Sequence, residues 1–115
     1  MSRLKGQVGE DIAACYLEQQ SYVILARNVV VRGGELDIVA RGLDGTLVFF
    51  EVKFYSKGSV VHPLEAITST KQRHLIRAAQ LYLQRIGNPD ISCRFDALIV
   101  DSERRVTHLE NIIVQ

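Results

Sequence analysis

Three residues of this 115-residue chain have the types and spacing needed for hydrolytic chemistry. Asp37 lies in one predicted strand, and Glu51 and Lys53 lie in the next. Side chains two positions apart on a strand point to the same face, so Glu51 and Lys53 share one face of the sheet. If the two strands pair as a hairpin, two carboxylates and an amine converge at one end of the sheet.

The register of that hairpin decides how closely the carboxylates meet. A four-residue turn would pair Arg41 with Thr46. Asp37 would then lie opposite Phe50, one position away from Glu51. A turn that differs by one residue would place Asp37 directly opposite Glu51, because each step in register shifts every pair along the strand. The sequence alone leaves both registers open.

Two carboxylates at close range repel each other, and a hard divalent cation relieves that repulsion. Mg²⁺, or Mn²⁺ in its place, takes a few carboxylate oxygens and keeps several waters. One such water can lose a proton and attack a phosphodiester. Lys53 would then neutralise the charged phosphate or orient the nucleophile, and it would act as a base only if its pKa were depressed. The alternative is structural, with Glu51 and Lys53 as an ion pair on an exposed edge strand.

The elements that must position these residues follow from apolar periodicity and turn chemistry. The predicted order is a helix over residues 6–20, strands over 22–31, 35–41 and 46–54, a helix ending near 85, and strands over 94–101 and 106–114. Thr68, Ser69 or Thr70 is expected to cap the second helix. The third strand is apolar on both faces, which is typical of a central strand. This order predicts one α/β (α+β) domain over residues 1–115, with a mixed sheet flanked by helices.

Composition excludes several classes of protein. Hydrophobic residues make up 47% and charged residues 23%, which is typical of a globular domain and not of a disordered or fibrous chain. The net charge of +1 excludes a histone-like polycation, so any contact with nucleic acid needs a local basic patch. No apolar run of about 18 residues exists for a membrane span, and no apolar segment follows Met1 as a secretory signal. We therefore expect a cytoplasmic protein without a membrane partner.

The first helix and the cysteines carry two further predictions. Val8, Ile12 and Cys15 form an apolar stripe on this helix, and three neighbours widen it: Ala13, Ala14 and Leu17. Cys15 and Cys93 both lie among apolar residues, which favours two buried free thiols over a disulfide. Two cysteines and three scattered histidines do not form a zinc site.

The motifs also resemble a known family. The run GELDIVA at residues 34–40, followed by VFFEVK at 48–53, resembles the PD-(D/E)xK nuclease superfamily. The similarity is closer to the small bacterial YraN-like family of predicted endonucleases, which are distantly related to archaeal Holliday-junction resolvases. It covers nearly the whole chain, including the segments at residues 9–10, 32–35, 63–66, 71–73, 78–83 and 95–96. The resemblance implies a restriction-endonuclease-like fold.

The resemblance implies roles for individual residues. Asp37 and Glu51 match the metal-binding acids of the superfamily, and Lys53 matches its active-site lysine. Glu10 matches a glutamate of the first helix that completes the metal site in resolvase-like members. It shares a helical face with Ala13, Ala14 and Leu17, so it can point toward the sheet. The alternative for Glu10 is a glutamate that only favours the helix dipole.

Gln72 matches a glutamine in the helix that follows the Glu-x-Lys strand. It would contact a metal-bound water or the scissile phosphate, or else satisfy backbone groups in the first turn of its own helix. Glu35 shares a strand face with Asp37 and would assist the metal site, or would be a solvated edge residue. The chain also departs from the family pattern. Leu36 replaces the proline, residues 54–56 lack the usual Thr and Arg, and Ile76 replaces a tyrosine found in some related nucleases.

A basic segment could hold nucleic acid beside these residues. Residues 66–89 contain no acid and four basic residues, Lys71, Arg73, Arg77 and Arg85. Together with Lys57, the first three are predicted to contact the phosphate backbone, which positions DNA without reading its sequence. The alternative is an ordinary solvated helix face.

The leading interpretation is therefore a Mg²⁺-dependent endonuclease that acts on DNA, selecting structure over sequence, in repair or recombination. Resolvase-like nucleases usually act as dimers on branched DNA, so by analogy we expect a homodimer and a branched substrate. The first alternative is a nucleic-acid-binding module that keeps the fold without the chemistry. The second is a protein-interaction scaffold that uses Ile112 and Ile113.

Overall fold

A single sheet of five strands, in chain order, organises the computed structural model of this protein, which describes residues 3–56, 58 and 62–113. The elements are α1 (Arg3–Gln19), β1 (Val23–Val31), β2 (Gly34–Arg41), β3 (Leu47–Tyr55), a short 3₁₀ helix (Pro63–Ala66), α2 (Ser69–Arg85), β4 (Cys93–Asp101) and β5 (Val106–Leu109). Neighbouring strands are antiparallel except for β3 and β4, which are parallel and connected through α2. The predicted α+β class and element order are confirmed.

The two helices cover opposite faces of the sheet. On one face α2 contributes five buried residues, Leu75, Ala78, Ala79, Tyr82 and Leu83. On the other face α1 contributes Ala13, Ala14 and Leu17. Successive residues of β3 alternate between these cores, with Phe49 packed on the α2 side and Phe50 on the α1 side. Because a strand covered on both faces excludes water from both, the prediction that β3 is central is confirmed.

The buried face of α1 differs from the predicted stripe. Ala13, Ala14 and Leu17 are buried, whereas Val8 and Cys15 are exposed. Gly9 lies close to the sheet, where a Cβ atom would be 3.4 Å from Phe54 Cδ2. The helix therefore packs against the sheet through Ala13, Ala14 and Leu17, with Ile12 partly buried beside them, whereas Val8 and Cys15 of the predicted stripe turn outward.

The prediction of buried cysteines is wrong. Cys15 and Cys93 are both free and both exposed. Cys15 lies on the solvent side of α1, and Cys93 is the first residue of β4, before the buried part of that strand begins at Phe95. Apolar neighbours in sequence do not bury a residue at the end of a strand, where alternate side chains are solvated.

The last strand is also shorter than predicted. β5 ends at Leu109, and Asn111 adopts a left-handed backbone conformation with φ of 56°. The Ile112 N–H then donates to the Phe95 carbonyl at 2.8 Å. The chain therefore bends back over β4 after four paired residues.

Among the residues that the structure describes, no helix is long and apolar enough to cross a membrane.

A buried carboxylate connects the last two strands. Asp96 of β4 has no exposed surface, and it accepts hydrogen bonds from Arg94 Nε at 3.1 Å and from the Asn111 N–H at 3.0 Å. His108 Nε2 lies 2.7 Å from its Oδ2 atom. Burial acts to raise the pKa of Asp96, but these hydrogen bonds and the Arg94 charge outweigh it and hold the pKa below its ordinary value. Arg94 also donates to the Tyr22 hydroxyl at 3.1 Å, which connects this network to the start of β1.

Candidate active site

The turn between β2 and β3 fixes the register of the predicted carboxylates. Its five residues, 42–46, are closed by a hydrogen bond from the Thr46 N–H to Asp44 Oδ1 at 3.0 Å. Gly45 has φ of +86°, a conformation that side chains other than glycine rarely adopt. The paired residues run from Arg41 with Leu47 to Ile38 with Phe50. One further step in this register places Asp37 across from Glu51, which is the second of the two registers that the sequence left open.

Asp37 lies where the side chains of β2 stop alternating regularly between the two faces of the sheet. Leu36 and Val39 both pack on the α2 side, although they are three residues apart, whereas Ile38 packs on the α1 side. The neighbouring strand is irregular at the same level, where Asn28 has φ of 52°. The β2–β3 pairing ends here, and Asp37 Oδ2 accepts the Val52 N–H at 2.9 Å. The Asp37 side chain thus replaces a backbone partner that β3 has lost.

The two carboxyl groups of Asp37 and Glu51 interact directly. The pKa of Asp37 is raised from 3.8 to about 8, first by burial and then by a hydrogen bond to Glu51 and by the charges of Glu51 and Glu10. The Val52 N–H opposes this rise. At neutral pH the pair therefore holds one proton between its two carboxyl groups, as close carboxylates do when no cation separates them.

Glu51 is the most deeply buried acid of this site, with 5% of its side chain exposed. Its Oε2 atom is fully buried, and no described residue gives it a well-oriented hydrogen bond. Two ammonium groups lie nearby: Lys71 Nζ at 3.1 Å and Lys53 Nζ at 4.0 Å. The sequence predicted Lys71 only as a phosphate contact, whereas the structure places it closer to Glu51 than the predicted active-site lysine.

These groups line a cavity of about 360 Å³ between α1, the sheet and the start of α2. Its nine lining residues are Gly9, Glu10, Glu35, Asp37, Glu51, Val52, Lys53, Phe54 and Lys71. Burial raises the pKa of Glu10, although a hydrogen bond from Asn28 and the Arg27 charge oppose that rise. The structure therefore brings Glu10 and Glu35 to the same cavity as the predicted pair. Within the described residues, however, no three acidic, histidine or cysteine side chains are grouped closely enough to hold a metal ion.

The other predicted residues lie outside this cavity. The Gln72 side chain donates to the Ile67 carbonyl at 3.3 Å, which corresponds to the alternative in which it satisfies backbone groups. Arg73 is exposed and bonds to Thr70, and Arg77 is exposed one turn further along α2. Lys57 lies outside the residues that the structure describes.

The first turn of α2 contains a lysine whose position in the helix the sequence analysis did not use. Thr68 caps the helix, and its Oγ1 accepts the Lys71 N–H at 3.2 Å. The first turn contains a lysine and no acid, although the exposed N–H groups of a helix start favour acids. A basic residue at this position indicates an acidic partner elsewhere in the fold, and Glu51 is that partner.

The donor set fits a divalent cation. Asp37 and Glu51 supply hard carboxylate oxygens, and one of these oxygens is buried without an oriented hydrogen-bond donor. A proton shared between the carboxyl groups is the group that a cation would replace. Glu10 and Glu35 lie at the same cavity, where they could contact waters around the ion.

A larger cavity, of about 710 Å³, lies between α1 and the turn that joins β4 to β5. Asp11 is its acidic lining residue, and that carboxylate is already paired with Arg27 at 2.6 Å. A single paired carboxylate does not provide acid–base or metal chemistry, so the smaller cavity is the candidate active site.

Comparison with known proteins shows the family to which this chain belongs. The family model described as "Uncharacterised protein family UPF0102" matches residues 9–100, which include α1 from Gly9 onward and all of the candidate site. A UPF0102 protein of Symbiobacterium thermophilum is 46% identical over 101 residues, covering 88% of this chain and 85% of the relative. A UPF0102 protein of Marinobacter nauticus is 41% identical over 117 residues, covering 97% and 94%. The chain therefore belongs to the UPF0102 family.

Proposed function

We propose that this protein is a metal-dependent endonuclease that hydrolyses phosphodiester bonds in DNA. The observation that carries the proposal is the Asp37–Glu51 pair, which lines one cavity together with two lysines that lie within 4.0 Å of Glu51. Paired carboxylates of this kind hold Mg²⁺ or Mn²⁺ in phosphodiester hydrolysis. The resemblance of residues 34–53 to the PD-(D/E)xK nucleases supports the same chemistry.

Each residue of the candidate site has its own role in this proposal. Asp37 and Glu51 would hold the cation, and Glu10 would hold its waters from α1. The bound ion supplies a water of lowered pKa and positive charge beside the phosphate. Lys53, 28% exposed at the mouth of the cavity, donates to the phosphate oxygens as negative charge develops on them. Gln72 would join the site only by giving up its bond to the Ile67 carbonyl.

The exposed face of α2 would bind the DNA backbone. Arg73 and Arg77 are exposed, and residues 66–89 contain no acid to oppose a phosphate. Contacts of this type carry no base code, so the proposed selectivity is for DNA structure. By analogy with resolvase-like nucleases, the substrate is branched DNA, the active form is a homodimer, and the role is in repair or recombination.

The test is cleavage of labelled branched, flapped and linear DNA of the same sequence, with Mg²⁺ or Mn²⁺. We compare the wild type with Asp37→Asn and Lys53→Ala. Glu18→Gln, which neutralises an exposed acid of α1, is the matched control. We expect both site variants to lose about 100-fold or more of the cleavage rate, and the control to keep it. A folded wild type that cleaves none of the three structures, or full activity in Asp37→Asn, contradicts the proposal.

A second candidate is a nucleic-acid-binding module without catalysis. It is favoured by one observation: Lys71 already neutralises Glu51, so the fold needs no metal to balance that charge. In that case DNA binding would weaken steeply with salt and would survive Asp37→Asn unchanged. A gel shift at two salt concentrations, run on the same DNA as the cleavage assay, separates the two functions.

A further inference from the structure

The ammonium group of Lys71 occupies the position of a counter-ion at the candidate metal site. Lys71 is the third helical residue of α2, counted from the Thr68 cap. Its charge opposes the partial positive charge of the helix start, so the helix alone does not favour it there. The 3.1 Å contact with Glu51 Oε2 is the interaction that offsets this cost.

A divalent cation on the same oxygen would lie very close to that ammonium group. A Mg²⁺ ion binds a carboxylate oxygen at about 2 Å, so the ion and Lys71 Nζ, at its present 3.1 Å, would be no more than about 5 Å apart. Glu51 is 5% exposed, so little water would screen the repulsion between the two cations. Repulsion therefore disfavours binding of both partners to this oxygen at the same time.

Lys71 has room to move. Its side chain is 34% exposed, and it reaches the cavity from the end of a helix through a flexible four-carbon stem. Lys53 differs, because it projects from the central strand β3 and lies 4.0 Å from the same oxygen. Of the two lysines, Lys71 makes the closer contact that a metal ion would have to displace.

We propose that Lys71 competes with the divalent cation for Glu51, and that metal binding releases it toward the mouth of the cavity. This inference rests on the proposed function, because it requires that the carboxylate pair binds a metal. Lys71 then balances the charge of Glu51 in the metal-free protein. In the metal-bound protein it is free to contact a phosphate group of the DNA.

Direct binding tests this competition without an activity assay. Mn²⁺ is titrated calorimetrically into the wild type, Asp37→Asn, Lys71→Met and Arg41→Met, with no DNA present. Arg41 is exposed at the opposite end of β2, so its variant loses the same charge away from the site. We expect Lys71→Met to bind Mn²⁺ on the order of tenfold more tightly, because one half-buried competing charge is removed, and Arg41→Met to match the wild type within about twofold.

The outcomes separate the two proposals. Binding by the wild type that is lost in Asp37→Asn, but unchanged or weakened in Lys71→Met, overturns the competition and leaves the metal site in place. If Lys71→Met binds Mn²⁺ and the wild type does not, the result supports a competition in which Lys71 fully prevents metal binding. No binding by any variant overturns both proposals. Lys71→Gln, which keeps a polar side chain on the helix, repeats the measurement if circular dichroism shows that the methionine variant is poorly folded.

Discussion

At the scale of single residues, the Asp37–Glu51 pair is costly to the fold. Two acids have been brought together where β2 and β3 separate, and the resulting repulsion is relieved by a shared proton and two lysines. Charged groups in such surroundings are typical of functional sites, where burial and like charges raise a pKa for a task that folding alone does not require.

The raised pKa of Asp37 predicts how stability depends on pH. The folded carboxyl group keeps its proton up to about pH 8, whereas the unfolded one loses it near its ordinary pKa of 3.8. The free energy of unfolding therefore falls as pH rises between these values, because the folded state binds the extra proton. Between pH 5 and 8, without metal, we expect the free energy of unfolding of the wild type to fall by about 3–4 kcal/mol more than that of Asp37→Asn.

Urea unfolding of both proteins at pH 5, 6, 7 and 8 measures this difference directly. Subtracting one series from the other cancels the titration of the three histidines, which both proteins share. If the free energy of unfolding changed with pH equally in the two proteins, Asp37 would be ionised in the folded state over this range.

At the scale of elements, the pattern of apolar and capping residues in the sequence was sufficient to predict where the main elements lie. The doubly apolar run of β3 predicted a central strand, and Thr68 was among the expected caps of α2. The interruption at Asp37 could not be predicted in this way. It depends on a break in alternation within β2 and on the irregular backbone at Asn28, and neither leaves a periodic signal.

The start of α2 carries a prediction at this scale. Thr68 accepts the Lys71 N–H, so Thr68→Ala should lower the free energy of unfolding by about 1 kcal/mol. Chemical denaturation measures the change. Ser69→Ala, at the next exposed position, is the control and should cost less than half as much, because no cap is lost. Equal effects of the two substitutions would show that the Thr68 side chain does not cap the helix.

At the scale of the whole molecule, the Asp96 network connects parts of the fold that are far apart in sequence. It joins β4 to β5, to the backbone of Asn111 and, through Arg94, to Tyr22. The sequence marked Asp96 only through its resemblance to a family motif. Its structural role escaped prediction because the partners come from three segments, and a single sequence contains no signal for such long-range contacts.

Removing that carboxylate should therefore affect the entire domain. Asp96→Ala leaves Arg94 and His108 half-buried without their partner, and we expect a loss of about 3–5 kcal/mol in the free energy of unfolding. Asp90→Ala, which removes an exposed acid after α2, should change it by less than about 0.5 kcal/mol. Similar denaturation midpoints for the two variants would contradict the structural role of the network.

The parallel pairing of β3 with β4 also sets an order of events during folding. The β1–β2 and β2–β3 hairpins close over short turns, and such local contacts form in microseconds. The β3–β4 pair must wait until the whole α2 crossover has been placed, because distant contacts close late. We therefore expect Asp37 and Glu51 to meet before Lys71 arrives, in which case solvent protons or cations would neutralise the pair until α2 is in place.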